Sequence, residues 1–348
     1  GDIKYANAVK KFLLKLADRM PYYMVYMGYS YSQYADCDPH YVVQNLPNLP
    51  IINGHQCPMI AADSDQYDDK AFFSNYWSAS RLGTSGTDGE YVEIFAQAYD
   101  MIADALKDDG KPLLSEEEKN HIEKDLLIES CLLGYFDKKI NNKSTMNLKG
   151  CALVGLVVGN AKLVHFGIDG FNRTLSEYYL KDGSTSQSQG YGIKTLNGLS
   201  GLNLAFRNYS DPPNFVPGEN EQILKNFNIN HDTEFEPIWH ALMWAVNSDF
   251  YYPIIGDETF KVTFPTSYDY LVSEYKRKYM LEYVGMLQSE GINYSPNLYL
   301  SDPDYVPYNG TVKLPDFVYP YLQQGYIRSG KDGRESILIL DASPADGG

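Results

Sequence analysis

The stretch NNKSTMNLKGCALVGLVVGN, residues 141–160, followed by KDGSTSQSQGYG at 181–192, decides how the chain is read. An Asn-Asn pair opens an apolar run without a polar stripe, so residues 147–159 predict a helix buried on all sides. Gly159-Asn160 ends it, as a glycine just past the last turn does. Residues 161–181 carry an amphipathic helical pattern closed by Asp182-Gly183, and a lone Tyr191 follows among small polar residues. Amide, hydroxyl and phenol groups on turns between packed helices point to a site and not a core. The glycines between 150 and 170 predict close helix packing; no strand precedes them, as a phosphate-binding glycine loop requires.

Helical signals continue on both sides. Upstream, residues 4–20 have helical spacing and stop at Pro21, whereas 21–90 reads as loop-rich. EYVEIFAQAYDMIADALKDDG (90–110) predicts a helix with Tyr91, Ile94, Phe95, Ala98, Ile102 and Leu106 on its apolar stripe. Ser115-x-x-Glu118 is a capping box before a face of Ile122, Leu126 and Leu133. Downstream, 191–208, 235–247 and 267–289 predict further helices. Successive helical hairpins without strands predict a mainly α toroid or solenoid of paired helices. The character changes at GYIRSGKDGRESILILDASPADGG (325–348), where a Lys-Asp-Gly turn between alternating runs predicts a β-hairpin.

Composition narrows the function classes. A net charge of −16 argues against nucleic acid, whose phosphates need clustered Lys and Arg. The 31 tyrosines are an unusual investment in flat rings with polar tips, which suit wet, partly apolar ligands such as sugars, or the boundary of a core. Cys37, Cys57, Cys131 and Cys151 show no metal-ligand spacing; the last two sit in apolar helices and read as buried free thiols. The Asp-rich DSDQYDD run (63–69) lacks the spacing of a calcium loop and reads as a solvated acidic loop. No apolar run reaches the length of about 18 residues that a membrane span needs.

NNKSTMNLKGCALVGLVVGN, DGSTSQSQGYG, PIIGDETF (253–260) and the C-terminal hairpin, taken in that order and spacing, resemble the heparinase II/III-like and alginate-lyase-like polysaccharide lyases. The likeness runs from about residue 90 onward. It implies an incomplete (α/α) toroid of helical hairpins followed by the start of an antiparallel β-sandwich. The implied domains are a loop-rich region at 1–90 packing on the toroid, a toroid at 91–315, and the first β strands at 316–348. It further implies that the remainder of a sandwich, with a His-Gly-His segment, would follow Gly348. The implied protein is secreted or periplasmic and binds a polysaccharide or oligosaccharide; the sequence assigns no cofactor and no metal ligands, and leaves metal content open.

The family chemistry is β-elimination at a uronic acid. A base removes the proton alpha to the carboxylate, and the bond to the 4-oxygen breaks. An anionic carboxylate disfavours that step, so a hydrogen-bond donor must polarise it. By position, Asn142 corresponds to the carboxylate-contacting amide, though as an Asn it could equally be a helix N-cap. Lys143 stands where relatives have histidine. Tyr191 corresponds to the proton-transferring tyrosine; phenol titrates near 10, so acting as a base demands a cationic neighbour. Asn141, Gln187 and Ser188 flank these positions as substrate contacts. Trp77, His240 and Trp239 are candidate sugar contacts, each with a packed core residue as the other reading. A non-catalytic glycan-binding toroid is the rival reading. A third is a glycoside hydrolase drawing two carboxylates from Asp182, Asp257 and Glu258, which must face each other roughly 5–10 Å apart.

Overall fold

The computed structural model describes residues 3–27, 38–44, 51–52, 55–56, 79–83, 87–136, 140–185, 187–219, 221–247, 251–255, 314–330 and 336–342. Trp77, the 63–69 run, the 267–289 helix, Cys37, Cys57, Asp257, Glu258 and the 331–333 turn lie outside the described residues. In chain order the helices are α1 (Ile3–Ala17), α2 (Pro39–Gln44), α3 (Gly89–Ala103), α4 (Glu116–Ile122), α5 (Glu129–Phe136), α6 (Ser144–Val157), α7 (Ala161–Arg173), α8 (Gln189–Leu199), α9 (Leu202–Ala205) and α10 (Phe235–Trp244). Short strands β1 (Tyr26–Met27) and β4 (Ala79–Ser80) pair antiparallel, as do β2 (Ile51–Ile52) and β3 (His55–Gln56). Strands β5 (Phe317–Tyr319), β6 (Gln324–Ser329) and β7 (Ser336–Asp341) form an antiparallel sheet in that order. The protein is therefore mainly α with a small three-stranded sheet, and no described helix is long and apolar enough to cross a membrane. It divides into two compact units, Gly1–Arg173 with Gly201–Asn228, and Thr174–Ser200 with Ile229–Gly348.

In the first unit, α6 is the central helix. It packs on α3, α5 and α7, and almost every side chain from Ser144 to Gly155 is buried, as its unbroken apolar run predicts. Small residues let its neighbours come close. A Cβ on Gly89 would lie 2.0 Å from the Met146 carbonyl oxygen, and one on Gly167 would lie 2.3 Å from Ala152 Cβ. The Ser115–Glu118 capping box forms with both of its bonds, at 3.2 and 2.8 Å. Beyond α4 the helix widens into a π-helical turn, Glu123–Ile128, and still buries Ile122, Leu126 and Leu133.

The apolar stripe expected on α3 is displaced. Tyr91, Ile94 and Leu106 are exposed, while Val92, Phe95, Ala96, Tyr99 and Ile102 face the core. A helix this apolar offers two overlapping stripes, and the approach of α6 at Gly89 selects one. Arg81 is buried. Its guanidinium donates to the carbonyls of Met20, Tyr23 and Glu129 and to the Glu129 carboxylate. The Asp88 carboxylate holds the same loop through the Ser80 hydroxyl and the N–H groups of Arg81, Leu82 and Gly83.

Further along, His165 Nε2 on α7 donates to the Asp211 carboxylate, whose oxygens lie 2.9 and 3.0 Å away, and the ring stacks on Phe215. Tyr209 and the Leu224 N–H donate to the same carboxylate. Burial, reinforced by Asp211, pushes the Tyr209 phenol well above its ordinary range.

The second unit joins α8 and α10 to the sheet. β6 and β7 form the hairpin predicted from the alternating runs, with Tyr326 opposite Ile339. Phe317 stacks on Tyr326, and Tyr319 meets both rings edge-on. The Tyr319 hydroxyl donates to the Ala241 carbonyl, and Arg328 donates to the carbonyls of Trp244 and Val246 beyond the last turn of α10. A cation is favoured there by the orphan carbonyls of a helix C-terminus.

Candidate functional site

Asn141, Asn142 and Lys143 belong to the first unit; Gln187, Ser188, Tyr191, Trp239 and His240 belong to the second. Each group is built locally.

Just before α6, the Asn141 side chain closes the turn that leads into the helix. Its side-chain oxygen accepts the N–H groups of Lys143 and Ser144 at 2.8 and 3.0 Å. Its own N–H donates to Ser144 Oγ at 2.9 Å, and that hydroxyl donates back to the Asn141 carbonyl at 2.9 Å. Asn142 is thereby relieved of the capping role that sequence allowed it. Its side chain is only 7 % exposed and makes no hydrogen bond to another described residue. Lys143 beside it is 6 % exposed. A buried amide and a buried cation thus sit at a helix N-terminus, where the macrodipole also favours negative charge. Asn147 and Lys149, further along α6, are committed to structure: Asn147 accepts the Gly89 N–H, and Lys149 pairs with Glu93 at 2.6 Å.

In the second unit, Ser188 is the N-cap of α8, its hydroxyl accepting the Tyr191 N–H at 3.1 Å. Gln187 accepts from the Tyr178 hydroxyl at 2.9 Å. Both residues expected to touch substrate are therefore engaged in holding the turn. Tyr191 is half-buried on the first turn of α8, and the Lys194 ammonium lies 5.7 Å from its ring centroid. Lys194 is the functional candidate that sequence reading missed. The signal was present, because residues three apart on a helix share a face.

The Asp-Gly-Ser turn is a structural staple. Asp182 accepts from the Ser184 N–H and hydroxyl with one carboxylate oxygen, and from the Tyr321 N–H with the other, at 2.9 Å. Gly183 has φ of +82°, and a Cβ there would lie 2.4 Å from the Pro237 carbonyl, so glycine is required twice over. The hydrolase reading loses Asp182 as an open carboxylate for this reason.

Trp239 is corrected as a sugar contact. At 2 % exposure its indole is core, and no ring face remains for a ligand. His240 lies within α10, with its side chain outside the described residues. Among the described residues no group of three or more His, Cys, Asp or Glu could hold a metal ion. Cys131 and Cys151 are buried free thiols.

No protein-family model matches the chain, and no curated protein matches it.

Proposed function

We propose that the chain is a polysaccharide lyase-like protein that acts on uronic-acid-containing glycans by β-elimination. In this reading its helical hairpins belong to an (α/α) toroid, the three-stranded sheet opens an antiparallel β-sandwich, and the protein is secreted or periplasmic. The observation that carries the reading is the turn into α6, where the Asn141 oxygen takes the Lys143 and Ser144 N–H groups and the Asn142 amide lies buried beside buried Lys143. That combination suits a carboxylate: a neutral donor to polarise it and a cation to offset a protein charge of −16.

The chemistry follows from these groups. Asn142 donates to the uronate carboxylate, and Lys143 stabilises the charge that builds there as the alpha proton leaves. The freed electron pair forms the carbon–carbon double bond, the bond to the 4-oxygen breaks, and that oxygen takes up a proton. The resemblance gives the proton transfer to Tyr191, in the second unit, where the Lys194 ammonium lies 5.7 Å from its ring centroid.

The test is incubation of purified protein with heparan, chondroitin, hyaluronan, alginate and ulvan while following near-ultraviolet absorbance of unsaturated ends. Absorbance that grows with one polymer and disappears in Asn142→Ala supports the reading; none with any of them sinks it. The structural engagement of Gln187 and Ser188, where relatives of that family carry ionisable side chains, favours a second reading as a non-catalytic glycan binder. Binding without turnover, indifferent to Tyr191→Phe, would select it.

A further inference from the structure

We infer that Asn141 is a positioning residue for the carboxylate site: it closes the turn that sets the directions of Asn142 and Lys143 without itself touching the ligand. The inference rests on the carboxylate reading above. Its geometry is a closed ring of bonds. The Asn141 side-chain oxygen takes two N–H groups, Lys143 at 2.8 Å and Ser144 at 3.0 Å. The Asn141 N–H and carbonyl are both engaged by the Ser144 hydroxyl. Residues 142 and 143 lie inside that ring, so their backbone torsions are held from both ends.

Two adjacent asparagines before a helix are competing caps, because either side chain can reach the first orphan N–H groups. The structure gives the Lys143 and Ser144 N–H groups to the first. The second is then left with a nine-tenths buried amide and no hydrogen bond to another described residue, which makes it available as a donor. The same ring fixes Lys143 one residue further on. Loss of the Asn141 oxygen would let Asn142 fall into the cap and withdraw its amide from the ligand.

The experiment measures binding of hyaluronan, chondroitin, heparan and alginate oligosaccharides by calorimetry, with carboxyl-reduced versions of each as controls, alongside thermal unfolding. Wild type should bind one uronate form and not its reduced counterpart. Asn141→Ala should weaken that binding on the order of fivefold, the scale of a lost cap. Asn141→Ser, which keeps a capping oxygen but lacks the amide, should restore it. Asn141→Gly costs a cap only a few tenths of a kcal/mol. It should therefore weaken binding while the protein stays folded, which separates affinity from unfolding. Equal loss in the Ser and Ala variants would place Asn141 in contact with ligand and overturn the inference. So would unchanged affinity in Ala and Gly, which would make Asn141 a cap and nothing more. Wild type that binds nothing, or binds the reduced sugars equally, overturns the carboxylate reading itself.

Discussion

Gly167→Ala puts two effects of opposite sign against each other. In the middle of α7, alanine should stabilise the helix by up to about 1 kcal/mol relative to glycine. The added methyl, however, would lie 2.3 Å from Ala152 Cβ, 3.1 Å from Ala152 Cα and 3.2 Å from the Leu148 carbonyl of α6. Carbon atoms rest at about 3.5–4.0 Å, so the helices would have to part by more than about 1 Å. Neither contact is the end of a flexible chain, and overpacking of this kind costs about 1–3 kcal/mol. The expected net effect is destabilisation by about 1–2 kcal/mol, read as a lower urea midpoint by circular dichroism at 222 nm. The reciprocal change Ala152→Gly should also destabilise, by about 1 kcal/mol of helix propensity plus a lost methyl contact. The double variant moves one methyl across the interface and should recover most of the loss, giving a favourable coupling above about 1 kcal/mol. A stabilised Gly167→Ala, or strictly additive single effects, would refute the close α6–α7 approach.

Other consequences are equally direct. Asp211→Asn removes a carboxylate that holds His165, Tyr209 and the Leu224 N–H at a side chain with no exposure, and should destabilise by on the order of 3 kcal/mol in urea unfolding. His121 bonds to Asp125 at 2.8 Å and to Asp18 at 3.0 Å, contacts that raise its pKa above the ordinary value near 6.5. Because the folded pKa is the higher one, this stabilisation is complete below about pH 6.5 and fades as pH rises through the folded value. Melting temperature should therefore fall across that window, and less so in His121→Gln, with the effect damped by the partial exposure of the ring. Cys131 and Cys151 are each 2 % exposed, and burial raises the Cys131 thiol pKa well above its usual value. A chromogenic disulfide reagent should leave both thiols untouched in the native protein and titrate both in denaturant.

Much of the first unit was legible because its signals are local. Ser115 and Glu118 lie within one helical turn, so the capping box needs nothing from the rest of the chain. The all-round burial of α6 follows from a run too apolar to tolerate water on any side, and the 150–170 glycines from the need for helices to meet closely. The alternation of β6 and β7 likewise specifies a hairpin by itself.

The tertiary structure decided the choices between near-equal local options. α3 could bury either of two stripes, and its contact with α6 picked the one containing Val92 and Tyr99. Either asparagine could take the N–H groups ahead of α6, and the Asn141–Ser144 ring gave them to the first. Asp182, read as a candidate carboxylate of a hydrolase pair, is spent on a backbone N–H 139 residues away, and Trp239, read as a candidate sugar contact, on the core of α10. Periodicity and turn chemistry act over a few residues and so can be read from the chain. Which partner a polar or aromatic side chain meets depends on segments brought together only when the core closes, and no local pattern encodes that.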